Sequence, residues 1–324
     1  MAHIYVYSPS GAVRDRAAFR RGIKQLQALG HEVEVDPDAL TSWQRFAGDD
    51  ATRLAAIGRA AASGADVALI SRGGYGITRL LPQLPWRALQ KAAQRGTRFV
   101  GFSDFTALQL GLLARAPAVT WAGPALCEGF GASDAADATE NHGGQTTASV
   151  PDEIMLACFD DLVNGAGEGT GWRLPAADVA ALGGRQGHVA GHAPLWGGNL
   201  CLVNALLGTP WWPELKGGVL FLEEVGEHPY RVERLLLQLL HAGVLARQKA
   251  IVLGRFTDYS LGPHDRGYSL AKVIEGLRAQ LKKVPVLTGL PFGHTPTKVL
   301  LPVGAHVDLL VEGREALLLW GHMH

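Results

Sequence analysis

The sequence predicts an α/β protein: an N-terminal parallel-sheet domain of Rossmann or flavodoxin type, followed by a mixed α+β domain. Three observations carry this expectation. Short β-branched and aromatic runs alternate with helical runs as far as Pro124, an order that builds a parallel sheet with helices on both faces. The alternation fades across a polar stretch rich in small residues, Glu128 to Asp152, which reads as a loop or linker. Strand-like runs in a less regular order return beyond it. The expected domains are residues 1–165, including the linker loop 128–152, and residues 166–324.

The elements follow in order. "HIYVYSP" is a β-branched and aromatic strand. "RDRAAFRRGIKQLQALG" places Phe19, Ile23, Leu26 and Leu29 on one helical face and stops at Gly30. "HEVEVD" alternates as a strand, and "DDATRLAAIGRAAASG" is a helix capped by Asp49 or Asp50. "ADVALIS" is a buried strand that runs into the loop "RGGYG". "WRALQKAAQRG" is helical, "TRFVGFS" a strand, "DFTALQLGLLARA" a helix and "AVTWAGP" one more strand. After the linker, "DEIMLACFDDLVNG" is helical. Strand-like runs lie at 187–189, 218–222, 250–255, 306–311 and 316–320, and helices at "GNLCLVNALLG", "YRVERLLLQLLHAG" and "LAKVIEGLRAQL".

Composition narrows the function classes. Hydrophobic residues make up 47% of the 324, enough for large cores, and 41 glycines imply many tight turns. Lys and Arg number 30, as do Asp and Glu, so no basic excess points to nucleic acid or an anionic membrane. Cys127, Cys158 and Cys201 form no CxxC pair and read as free thiols in a reducing compartment. The start "MAHIYVYSPSG" lacks a basic region and a long apolar run, so a cytoplasmic protein is expected.

Several residues are candidates for chemistry. Ser103 stands between a strand and a helix, where it fits a helix N-cap or a nucleophile on a tight elbow. The GxSxG elbow motif is absent, because Phe105 takes the place of the second glycine. The "RGGYG" loop, Arg72 to Gly76, also lies at a strand's carboxyl end and can present bare amides to a ligand. Glu223 and Glu224 end an apolar strand, where a carboxylate can orient a histidine, and His294 sits in a Gly/Pro loop. His188 and His192 flank a strand but have no third ligand at suitable spacing, so neither a metal nor a cofactor is expected. His322 and His324 read as solvated residues at the C-terminus.

The segments "SRGGYGITRLLP", "VGFSDFTAL", "GGNLCLVNALLGTP", "LFLEEVGEHPYRVERLLLQL" and "GHTPTKVLLPVGA" together resemble the L,D-carboxypeptidase family. This is the serine peptidase group of the murein tetrapeptide carboxypeptidases and microcin-C immunity peptidases. The resemblance runs from about Ile4 to Leu310 and includes "RFAGDDATRLAAI". It implies Ser103 as nucleophile, Glu223 as triad acid and His294 as general base. It implies an oxyanion hole from the amides of Asp104 and Gly74. It also implies release of a terminal D-alanine from a muropeptide, by a homodimer. Glu224 stands where the family often has Asp. Arg72 and Arg231 are candidates for the substrate's terminal carboxylate, with a structural ion pair the leading alternative for Arg231. Two other functions stay open. An immunity-type peptidase would need an aromatic platform for a base, such as Trp196, Trp211 or Trp212. A ligand-binding protein would use no triad.

Overall fold

A computed structural model describes residues 1–133, 151–184 and 186–321. Most of the linker expectation, and both C-terminal histidines, lie outside the described residues. The structure is mixed α/β, with two sheets.

The first sheet is built from β1 (His3–Tyr7), β2 (Glu32–Val35), β3 (Val67–Ile70), β4 (Arg98–Gly101) and β5 (Thr120–Ala122). Their spatial order is β2-β1-β3-β4-β5, all parallel, which is the flavodoxin-like order. A further short strand, β11 (Leu301–Val303), adds antiparallel to β5. The sequence pattern does not mark that strand, and it brings the C-terminal half of the chain into the first sheet. Helices α1 (Arg16–Ala28) and α2 (Asp50–Ala62) begin at Asp15 and Asp49, whose carboxylates accept from the amides of Ala18 and Thr52 at 2.8 Å. Asp49, rather than Asp50, is therefore the cap. Helix α3 is Trp86–Gln94 and α4 is Thr106–Arg115. Every residue of α4 from Thr106 to Leu112 is buried, as expected of a helix apolar on all sides. It packs against elements of both sheets.

The second sheet orders β10-β9-β8-β7-β12-β13-β6. Its parallel part is β7 (Gly187–Asn199), β8 (Val219–Val225), β9 (Ala250–Thr257) and β10 (Val286–Thr288). Its antiparallel part is β6 (Gly169–Arg173), β12 (His306–Glu312) and β13 (Glu315–Leu319), joined to β7. The 187–189 run is only the start of β7, a strand of 13 residues that takes up "GGN", so the helix after it, α7 (Leu200–Leu206), begins later than expected. Helices α5 (Glu153–Asn164), α6 (Ala176–Ala181), α8 (Pro229–His241) and α9 (Leu270–Gln280) complete the fold. One apolar cluster runs continuously from Phe99 of the first sheet, with Phe105 and Leu108 beyond it, to Trp196 and Leu222 of the second sheet and Phe292 in the loop after β10. No described helix is long and apolar enough to cross a membrane.

Candidate active site

The carboxyl ends of β1 and β3 are neighbours in the sheet, and in this strand order ligands bind where such ends diverge. The two loops are stitched there: the Ser8 and Ser71 hydroxyls are 2.6 Å apart, and Gly11 N–H donates to Gly73 O at 3.2 Å. Strand β4 delivers Ser103 beside them. Gly101 permits the sharp exit, since a Cβ there would lie 2.7 Å from Ile70 Cδ1 and 2.8 Å from Phe105 Cδ1.

Ser103 has φ +61°, one of five non-glycine residues with positive φ among those described. A non-glycine residue held there stores on the order of 1–3 kcal/mol and marks an over-determined position. The elbow geometry thus exists without the GxSxG sequence. The Ser103 hydroxyl makes no hydrogen bond among the described residues, and neither the turn Ser103–Phe105 nor α4 has a side-chain cap. Ser103 is therefore not the N-cap.

Loop residues 72–76 lie against this turn. Gly73 is the closest: a Cβ added to it would lie only 3.0 Å from Ser103 Cβ and 3.1 Å from its Oγ. Gly74 is exposed with φ +107° and faces Gly11 and the Arg72 guanidinium instead. Arg72 donates to Ala12 O at 3.3 Å and lies 3.7 Å from Glu128, within a π-helical turn, Leu126–Phe130. Arg231 sits on α8, 3.6 Å from Glu227. The Asp104 side chain is buried and accepts from Ser10 Oγ at 2.8 Å and Ile77 N–H at 2.9 Å, tying the turn to both loops. Burial pushes its carboxyl above the usual range.

Glu223 comes from the second sheet and His294 from the loop between β10 and β11. β8 reads VLFLEEV and is buried through Glu224, so Glu223 is held with no exposure at all. Its Oε2 lies 2.8 Å from His294 Nδ1, and its Oε1 accepts from Asn199 Nδ2 at 3.2 Å. The bond fixes Nδ1–H toward the carboxylate and leaves Nε2 as the basic nitrogen. Burial pulls the imidazole down, but the Glu223 carboxylate outweighs it, and the pKa is raised above the ordinary histidine value. The His294 ring packs on Phe102, the residue before Ser103, with ring centres 4.9 Å apart. The structure therefore brings Glu223 of the second sheet and His294 of the loop after β10 to the Ser103 turn of the first sheet.

Sequence reasoning missed Asn199. Register pairs it with Glu223 across β7 and β8. Its amide bridges Glu223 and Glu224, the latter at 2.8 Å; its Oδ1 accepts from Leu202 N–H at 3.2 Å; and its own N–H donates to Thr106 Oγ1 at 3.1 Å. The available signal was an Asn after a strand and before a helical run. Glu224 does not reach the histidine; it also accepts from Cys201 N–H at 2.8 Å. Lys298 was missed as well: it is buried and its Nζ lies 4.9 Å from the centre of the Phe102 ring.

The remaining candidates lie elsewhere. Trp196 and Trp212 are core residues in edge-to-face contact at 5.4 Å, and Trp211 packs against the same core. Trp196 and Trp212 are too buried to stack on a base. His192 stacks on His306 at 4.3 Å, and His188 lies 3.9 Å from Asp308.

Comparison with known proteins identifies the family. Residues 4–123 match the LD-carboxypeptidase N-terminal domain and residues 192–309 the LD-carboxypeptidase C-terminal domain. A crystal structure of muramoyltetrapeptide carboxypeptidase from Oxalobacter formigenes superimposes with a TM-score of 0.79 at 36% identity, covering 98% of this chain and 97% of that one. The murein tetrapeptide carboxypeptidase of Pseudomonas aeruginosa is 35% identical over 234 residues, 72% of this chain and 68% of that protein. The microcin C7 self-immunity protein of Escherichia coli is 29% identical over 259 residues, 73% and 69% respectively. With family matches over both halves and relatives of this closeness, the chain belongs to the LD-carboxypeptidase family, and it is a carboxypeptidase, a hydrolase of peptide termini.

Proposed function

We propose that the enzyme is a serine L,D-carboxypeptidase that removes the terminal D-alanine from murein tetrapeptides. His294 Nε2 takes the Ser103 proton as Oγ attacks the carbonyl of the bond joining an L-centre to D-alanine. Glu223 holds the imidazole tautomer and stabilises the imidazolium. The amides of Asp104 and of the Gly73–Gly74 turn receive the oxyanion, where losing one such donor costs about 2.7–4 kcal/mol in the barrier. The imidazolium protonates the departing amine, and a water activated by the same ring releases the acyl chain. This chemistry draws on no metal or cofactor.

The observation that carries the reading is the 2.8 Å Glu223–His294 pair seated on Phe102, next to the strained Ser103. The substrate class is supported by the names of the Oxalobacter and Pseudomonas relatives. The burial of Trp196 and Trp212 gives the immunity-type alternative no support. Arg72, a quarter exposed at the loop, is the proposed partner of the terminal carboxylate. The reading places the enzyme in the cytoplasm, where three unpaired cysteines suit reducing conditions, and as a homodimer, which light scattering reads. The test is hydrolysis of the terminal bond in a murein tetrapeptide, which releases D-alanine, and in its C-terminal amide, which releases D-alaninamide. Amidation is expected to slow release at least about tenfold, because a charge-assisted bond contributes about 1.5–3 kcal/mol. Equal rates on both would sink the carboxypeptidase reading of this site.

A further inference from the structure

Lys298 stands four residues beyond His294, on the loop that leads to β11. It is 3% exposed. Its ammonium donates to Thr295 O, the carbonyl directly after His294. The same loop is clamped by Thr297 Oγ1, which donates to Asp152 at 2.7 Å, and by Thr257 Oγ1, which donates to His294 O at 3.4 Å. The ammonium and the His294 ring each lie 4.9 Å from the centre of the Phe102 ring, so one phenyl ring contacts both. A cation on an aromatic face is a favourable placement, whereas a buried cation without an ion pair is costly. Lys298 forms no ion pair among the described residues, so its retention in the site calls for a function.

We propose that Lys298 is a positioning residue for His294: it holds the loop that carries the imidazole and, as a like charge, opposes protonation of that imidazole. The proposal rests on His294 being the general base. The groups acting on the imidazole come from three elements: Glu223 from β8, Glu128 from the turn 126–130, and Lys298 from the imidazole's own loop. Both carboxylates favour imidazolium, and Lys298 is the cation that opposes them. Burial lowers the Lys298 ammonium to about 8, with Glu128, Glu223 and Asp152 holding it up, so it remains mostly charged at neutral pH. A base flanked by two carboxylates is thereby kept available as a proton acceptor.

The test compares wild type with K298M, K298Q and K298R. His294 is titrated by NMR of its imidazole, assigned by its loss in H294Q, and the pH profile of kcat/KM is measured on the tetrapeptide. K298M and K298Q are expected to raise the imidazole midpoint by about one pH unit and to move the acid limb of kcat/KM to higher pH. K298R, which restores the charge, is expected to keep the wild-type midpoint. A residue that only packs would lower the rate without moving the midpoint, and an unmoved midpoint in folded K298M or K298Q overturns the proposal. The two neutral variants differ in polarity, so a packing defect in one leaves the other as the reading. The titration needs no substrate, so a wrong substrate assignment would show in the tetrapeptide rates and leave this result intact.

Discussion

On the first sheet, Ser103 is fixed by its backbone. It has φ +61°, a glycine at 101 where the strand turns, and Gly73 pressed against its side chain, while its hydroxyl bonds to nothing among the described residues. On the second sheet, Glu223 is fixed by its side chain. It lies in a strand buried through Glu224, and each carboxylate oxygen has a partner, Asn199 or His294. The two devices suit the two tasks proposed for these residues. A nucleophile needs a free hydroxyl, so it cannot be positioned by hydrogen bonds to that hydroxyl and is held by strain and contact. An acid must keep its charge while buried, which requires that its oxygens be satisfied. Asn199 and Thr106 join the two sides, linking the acid's network to the first turn of the helix that follows Ser103.

The largest effect that separates the two sides is removal of the hydroxyl. S103A is expected to lower turnover on the order of 10⁶-fold with the fold intact by circular dichroism. Near-normal D-alanine release by that variant would show that the strained turn is not the nucleophile's seat.

On the other side, E223Q is expected to cost about 10⁴-fold in kcat, as when a triad carboxylate becomes an amide. The sign of its pH effect follows from the raised His294 pKa, which owes its rise to the Glu223 carboxylate. Wild-type activity falls as pH drops through that raised value, because imidazolium cannot accept the Ser103 proton. With the carboxylate gone, the acid limb of kcat/KM should move to lower pH. A limb that stays in place would assign the acid role to another group.

The link between the sides is tested by N199A, which leaves a Glu223 oxygen without its donor. Stability should fall by about 1–3 kcal/mol, read as a lower urea midpoint, and turnover by at least about tenfold, since each 1.36 kcal/mol of barrier is tenfold. G73A is the matching change on the first side. Its added methyl would crowd Ser103 at 3.0 Å, a contact relieved when the Ser103 side chain gives by a few tenths of an ångström. Turnover should fall while the urea midpoint changes less than in N199A; the reverse order would mean that Gly73 serves the fold and not the site.

The smallest expected effect isolates the strain. S103G relieves the positive φ, about 1–3 kcal/mol, against an added chain entropy of about 0.5–1 kcal/mol, so it should be at least as stable as S103A. An S103G urea midpoint clearly below that of S103A would show that the elbow is unstrained.

Much of this was legible in residue order. Alternating runs up to Pro124 implied a parallel sheet because strand and helix periodicities are local, and β1 to β5 do lie parallel. Ser103, Glu223 and His294, the proposed triad, were picked out through motif resemblance, because each sits in a short distinctive segment. Other features depended on contacts between segments far apart in the chain. The three-residue strand β11 is defined only by its pairing with β5, and too few residues carry the period for it to show in sequence. Asn199 faces Glu223 because of sheet register, 24 positions away. Lys298 looks like a solvated loop lysine until packing buries it against Phe102. Local pattern specifies elements and the side chains at their ends; charge, burial and protonation are set by what those ends meet across the two sheets.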